Sequence, residues 1–270
     1  MTLDFRSWAA SALEDLRAKG PLIHHIANLV TLNDSANAVL SLGALPIMAH
    51  ALEEVPHITK KAGALVLNTG TPTPESFQAM LAAGRCANDL GIPVILDPVG
   101  VGSSPLRREG VSSLLENLTL AAIRGNLAEI QFIVQGKGDL AGVEAKGDLD
   151  LTGRIALARE GARSLRTVLA ITGSWDVVAS SKQTFIVQNG HPLLRRVTGT
   201  GCMATSVLAA FLALEQGPLP AAAALAFYGL AGERAAQRAK GPGSLKTALF
   251  DELYNLAPKD AKECRVERRD

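Results

Sequence analysis

Asp97 ends the apolar run Val94-Ile95-Leu96 and is followed by Pro98 and the glycine pair of Val99-Gly100-Val101-Gly102. A carboxylate so placed can hold a hydrated Mg²⁺, an ion usually bound by one or two carboxylates together with substrate phosphates. The simpler alternative is an Asp that caps the next helix or forms an Asx turn. Farther along, Asn126 and Glu129 form an Asn-x-x-Glu pattern just after Arg124. That spacing commonly makes a capping box, in which the acid returns a bond to the backbone. The alternative is an acid that joins Asp97 in holding a metal through water. Arg124 suits a nucleotide phosphate, with a surface ion pair as the plainer reading. The sharpest signal is Thr198-Gly199-Thr200-Gly201-Cys202 entering a long apolar stretch that runs to Leu214. Small residues there let backbone N–H groups approach an anion, so the turn can cradle a transferring phosphoryl group, with Gly201 on the nucleotide side. Cys202 falls in the first helical turn, where the helix dipole is expected to lower a thiol pKa. The competing reading is a Gly-rich turn with a small buried cysteine.

These residues need a scaffold that brings them to one place. Short apolar runs at 22–27, 45–49, 64–69, 93–98, 119–126 and 167–173 read as strands, with helical segments such as 33–43, 74–91 and 154–165 between them. Alternation of this kind predicts a mostly parallel sheet with helices on both faces, an α/β three-layer arrangement. Residues 176–190 read as an antiparallel hairpin, and 201–214, 220–240 and 244–256 as closing helices. A barrel would close with an eighth βα unit, so an open sheet is expected. No repeat or linker interrupts the pattern, and residues 1–270 are read as one domain. In such sheets ligands bind beyond the carboxyl ends of the strands, where Asn68-Thr69-Gly70, Asp97, Arg124, Asn126 and Thr172-Gly173 would converge.

Composition narrows the function classes. Hydrophobic residues make up 47% and charged residues 20% of the 270-residue chain, a globular balance. A formal net charge of +1 gives no basic excess for nucleic acid or an anionic membrane. The three cysteines lack metal-like spacing, so neither a zinc site nor a disulfide framework is expected and a cytoplasmic setting fits. The uncharged stretches 197–214 and 216–232 are broken by Thr, Ser, Gly and Pro and read as core helices rather than membrane spans. The mixed-charge end, Lys259 to Asp270, reads as a solvated tail.

Taken in order, the segments 24–55, 64–72, 93–104, 123–130, 171–178, 197–206 and 227–256 resemble the hydroxyethylthiazole kinases, a branch of the ribokinase-like fold that salvages the thiazole half of thiamine. The resemblance spans nearly the whole chain. It implies transfer of the ATP γ-phosphoryl group to the hydroxyl of 4-methyl-5-(2-hydroxyethyl)thiazole. It implies that Met48 and Gly199 contact the thiazole, that Arg124 and Thr172 bind ATP, and that Asp97, Asn126 and Glu129 surround Mg²⁺ and the phosphates. It further implies a homotrimer with active sites between subunits, to which Asn28 and its neighbours contribute. Cys202 then stands where most enzymes of this fold carry an Asp that accepts the alcohol proton. Ala27 replaces a common Thr and Thr200 a common Ala, changes that touch pocket shape only.

Several residues stay open at this stage. His24 and His25 are either pocket residues or a hydrogen-bonded structural pair, whereas His50 and His57 have no evident partner. Trp175 either flanks adenine or packs over the hairpin, and Asn68 ranks below Asp97. Competing activities are a kinase or dehydratase of the same fold acting on another substrate, a ligand sensor without turnover, and a cysteine hydrolase built on Cys202. No base–orienter pair supports the last of these.

Overall fold

Strand residues of alternating parity face opposite helical layers, and this parity builds the molecule. A computed structural model describes residues 4–135 and 149–269 of the chain. Its strands are β1 (Leu22–Ile26), β2 (Leu45–Met48), β3 (Ala64–Asn68), β4 (Val94–Asp97), β5 (Ala122–Asn126), β6 (Val168–Thr172), β7 (Asp176–Ala179), β8 (Thr184–Val187) and β9 (Val266–Arg268). They form one sheet in the order β2-β1-β3-β4-β5-β6-β7-β8-β9. The first six lie parallel, and β7, β8 and β9 add on antiparallel.

Helices α1 (Phe5–Lys19), α2 (Leu32–Leu42), α8 (Thr200–Leu212), α9 (Pro218–Arg238) and α10 (Pro242–Asn255) cover one face. The other face is covered by α3 (Val55–Thr59), α4 (Pro74–Asp89), α5 (Pro105–Asn117), α6 (Leu127–Gln135) and α7 (Leu151–Ser164). In β3, Ala64 and Val66 join the first core while Leu65 and Leu67 join the second. Ile95 against Val94 and Leu96, and Ala170 against Leu169 and Ile171, divide in the same way. Helices α8 and α9 are almost wholly buried, and Phe211 of one stacks on Phe227 of the other at 5.9 Å. None of the described helices is long and apolar enough to cross a membrane.

The expected hairpin and closing helices are present, but the end of the chain departs from expectation. Residues 258–263 form a 3-10 turn and Val266–Arg268 pair with β8, so the segment read as a solvated tail completes the sheet. The alternating charges hid a short edge strand. Its anchor is polar, because the Arg265 backbone N–H donates to Asn189 Oδ1 at 2.6 Å and its guanidinium meets Glu233.

The second core is tightly closed where α4 meets α5. A Cβ added at Gly110 would lie 2.2 Å from the Phe77 ring. Gly110→Ala should therefore lower stability by about 1–3 kcal/mol despite the better helix propensity of Ala. Thermal unfolding monitored by circular dichroism checks this.

Candidate active site

Parallel register sets the site. Asn68 and Asp97 are Cα partners at the ends of β3 and β4, and Asn126 and Thr172 are partners at the ends of β5 and β6. Two clusters result, one on each side of the α8 N-terminus.

The first cluster is a buried chain of polar side chains. Asn28, just past β1, donates from Nδ2 to Asn68 Oδ1 at 2.8 Å. Asn68 Nδ2 donates to Asp97 Oδ2 at 2.7 Å, and Thr205 Oγ1 donates to the same oxygen at 2.9 Å. Both asparagine amides also reach the Cys202 sulfur, at 3.4 and 3.2 Å. Asp97 is fully buried and its Oδ1 has no partner among the described residues. Burial pushes its pKa up to about 6, against the pull of the nearby Arg124 cation. Asn68, ranked below Asp97 from sequence, is the hub of this chain.

Cys202 is not the activated thiol that its helix position predicted. Burial first, and then the Asp97 charge, raise its pKa above the usual thiol value, outweighing the hydrogen bonds that favour the thiolate. The thiol is therefore neutral at pH 7, and it lies between the two asparagine amides. Cys202→Ala should cut turnover by a few-fold, about 1 kcal/mol in transition-state terms, with no change in the pH profile between 6 and 8. Initial rates across that range check it, and an inflection that disappears in the variant would mark the thiol as a base.

The second cluster lines a cavity of about 480 Å³ that includes Arg124, Asn126, Thr172, Asp176, Gly201 and Tyr228. Arg124 Nη2 donates to Thr172 Oγ1 at 2.6 Å, and the Thr172 hydroxyl donates to the Gly125 carbonyl at 3.2 Å. Asp176 accepts from the Gly173 N–H at 2.9 Å and fixes the turn after β6, a part the hairpin reading of 176–190 did not foresee. Trp175 is exposed and is not among the residues lining the cavity.

The α8 N-terminus joins the two clusters. Gly199 caps it at φ 91°, a left-handed conformation that favours glycine. A Cβ at Gly201 would come within 2.8 Å of Arg124 Nη1, so glycine keeps the backbone open toward the guanidinium. Tyr228 donates to the Thr200 carbonyl at 2.7 Å and ties α9 to this turn.

Asn126 and Glu129 form the capping box at the start of α6. Glu129 Oε2 accepts from the Asn126 N–H, and Asn126 Oδ1 accepts from the Glu129 N–H, both at 2.9 Å. Glu129 Oε1 accepts from Gly100 N–H at 2.9 Å, which binds the loop after β4 to β5. Its charge still bears on Asp97, raising that carboxyl's pKa. Among the described residues no three His, Cys, Asp or Glu side chains form a metal cage. An ion held here would rest on one or two carboxylates and on phosphate, as suits Mg²⁺.

Arg107 of α5 was invisible to sequence reasoning. It donates to the carbonyls of Thr69, Gly70 and Val99, clamping the loops after β3 and β4. Its acceptors are backbone atoms, and no side-chain spacing announces them. His24 and His25 are a structural pair. His24 bonds Thr59 and Ala49, while His25 bonds Ile23 and Ser206 of α8. Burial lowers the pKa of both, that of His25 to about 3, and keeps them neutral. His50, expected to lack a partner, meets the backbone of Ala27, and His57 is exposed. Met48 stands half-buried on edge strand β2, opposite His25, outside the Arg124 cavity.

A glycine-opened helix terminus, an arginine-lined cavity and a buried carboxylate at the ends of a parallel sheet suit a small-molecule kinase of the ribokinase-like fold. A ribokinase-like protein from Enterococcus faecalis shares the fold, with a TM-score of 0.64 at 15% identity over 92% of this chain and 95% of its own. The hydroxyethylthiazole kinase family model matches residues 13–259, and the chain belongs to that family. The chain is 49% identical to the hydroxyethylthiazole kinase of Chloroflexus aurantiacus over 258 residues, 95% of this chain and 94% of the relative. It is 48% identical to that of Methanoculleus marisnigri over 96% of this chain and 93% of the relative. The solved hydroxyethylthiazole kinase of Pyrococcus horikoshii superposes with a TM-score of 0.90 at 36% identity, covering 97% of this chain and 99% of its own.

Proposed function

We propose that the chain transfers the γ-phosphoryl group of ATP to the primary hydroxyl of 4-methyl-5-(2-hydroxyethyl)thiazole, in the presence of Mg²⁺, for thiamine salvage in the cytoplasm. The observation that carries this reading is the fully buried Asp97 carboxylate, whose Oδ1 has no partner among the described residues, bonded to Thr205 of α8 and the Asn68 amide beside an arginine-lined cavity.

In this reading the nucleotide enters the Arg124–Thr172 cavity, where the guanidinium and the Gly199–Gly201 turn hold its phosphates. Asp97, with Glu129 and Asn126 acting through water, would hold Mg²⁺, which neutralises phosphate charge when bound. The free Asp97 Oδ1 and its raised pKa fit a carboxylate built for a cation. Phosphoryl transfer has a loose transition state, so positioning and charge neutralisation matter more than deprotonation, in keeping with a neutral Cys202 thiol.

The thiazole would lie toward Met48, with Gly199 at its alcohol end. Around that edge Leu29, Val30, Leu45 and Leu52 are exposed, the first by 77%. Exposed apolar residues beside an edge strand support a neighbouring subunit covering them, as in a homotrimer. Asn28 bonds to Asn68 and Cys202 of its own chain, so a neighbour would approach through Leu29 and Val30 instead.

The test is ATP consumption with the thiazole alcohol, run with Mg²⁺ and with EDTA, and product mass by spectrometry. Metal-dependent formation of the monophosphate is expected. Folded protein that binds ATP but yields no such product would redirect the reading to another alcohol.

A further inference from the structure

We propose that the Thr31 hydroxyl is a substrate contact, which hydrogen-bonds the acceptor alcohol and holds its oxygen beside Cys202. The inference rests on the alcohol-kinase reading of the same site and adds to it a residue that reads the reacting hydroxyl.

Among the described residues, three buried side-chain atoms lack a hydrogen-bond partner: Asp97 Oδ1, Arg124 Nε and Thr31 Oγ1. All three lie in or against the site, and native interiors rarely leave such atoms unpaired without a reason. The reaction must bring together a metal, a nucleotide and an alcohol. Asp97 and Arg124 account for the first two.

Thr31 is built as a held residue with one free group. It is 3% exposed and occupies the N-cap position of α2. Asp4, Thr73, Ser104 and Asp150 cap their helices with side-chain bonds, whereas Thr31 makes none. Its φ of −119° and ψ of 6° lie outside the extended region from which a capping hydroxyl reaches its own helix. Its backbone N–H donates to Asn28 Oδ1 at 3.1 Å, and its carbonyl accepts from the Ser35 N–H at 2.9 Å. Its methyl packs on the Gly199 turn, where an added Cβ would come within 2.6 Å of it. Lys246 pairs with Asp34 at 2.7 Å and pins the same helix to α10. The hydroxyl lies on the Cys202 side, near enough to the sulfur to act as a weak hydrogen-bonding neighbour that lowers the thiol pKa, but it does not reach the distance and angle of a formed hydrogen bond. A buried hydroxyl left in that state is favourable only once a ligand pairs with it.

The experiment compares Thr31→Val, which keeps the shape and removes the hydroxyl, with Thr31→Ser, which keeps the hydroxyl. For Thr31→Val, kcat/KM for the thiazole alcohol should fall about five- to fiftyfold, with KM for ATP unchanged. Its melting temperature should hold or rise, because an unpaired polar atom has been removed from the interior. Thr31→Ser should keep most of the activity. Calorimetric binding of the alcohol and of 5-ethyl-4-methylthiazole, which lacks the hydroxyl, supplies the second readout. Wild type should prefer the alcohol, and Thr31→Val should lose that preference. Wild-type turnover with a Thr31→Val variant equal to it in kcat/KM and in preference would overturn the inference alone. A variant that melts earlier and loses both ligands equally would also overturn it, marking the hydroxyl as structural. Wild type that neither binds nor phosphorylates the alcohol would overturn the functional reading, and this inference with it.

Discussion

Asp97→Asn should lower phosphoryl transfer about a thousandfold or more while making the ligand-free protein more stable above pH 6. The two effects have one cause. Asp97 is fully buried, its Oδ2 accepts from Asn68 and Thr205, and its Oδ1 has no partner among the described residues. Its carboxyl titrates at about 6 in the folded chain against 3.8 for an unperturbed aspartate, so the folded state holds the proton more tightly. Stability therefore falls as pH rises through that window. The penalty is absent below about pH 4 and complete above about pH 6, and by linkage it amounts to about 3 kcal/mol at most. Asparagine keeps the two accepted bonds and carries no charge, so the penalty disappears with the acid. Melting curves of wild type and variant should coincide near pH 4 and separate at pH 8, with the variant higher. Mg-ATP should raise the wild-type melting temperature more than that of the variant. A variant that melts below wild type at pH 8, or keeps a tenth of the activity, would contradict this account.

Arg124→Ala should cost about a hundred- to thousandfold in kcat, with a rise in KM for ATP. The guanidinium is held by Thr172 at 2.6 Å and faces the backbone at Gly201, and both residues line the same cavity. A lysine cannot reproduce that fork, so Arg124→Lys should recover only part of the loss. Arg124 also holds the Asp97 pKa down against burial. Its removal should move the acidic limb of the pH–rate profile upward. Steady-state kinetics from pH 5 to 9 on the three proteins read both effects.

The sheet was legible because its strands are short apolar runs bounded by glycine and proline, and because two-residue alternation assigns each side chain to a face. Asp97, Arg124 and Thr172 were legible for the same reason: a polar residue at the end of a buried strand has few places to point. Asn68 was underrated because it bonds three other side chains, and those are brought to it by the β3–β4 register, the loop after β1 and the start of α8 together. The Cys202 thiol was misjudged in sign. Sequence shows the helix terminus that would lower its pKa but not the burial and the neighbouring carboxylate that raise it. The closing strand at Val266–Arg268 was lost among charges, since a three-residue edge strand has too little apolar pattern to stand out.

The buried polar chain and the Met48 strand differ in what fixes them. The Asn68–Asp97–Thr205 chain is locked by strand register and by a buried helix, whereas Met48 sits on an edge strand whose neighbour Leu45 is half exposed. On the proposed reading, in which the thiazole lies toward Met48, chemistry and choice of alcohol would rest on separate pieces of scaffold. Selection on the Leu45–Met48 strand could thus retune the acceptor without passing through sequences that have lost the ability to transfer phosphate. A lineage with this layout has a short mutational path to a new alcohol, and a long one to a new reaction.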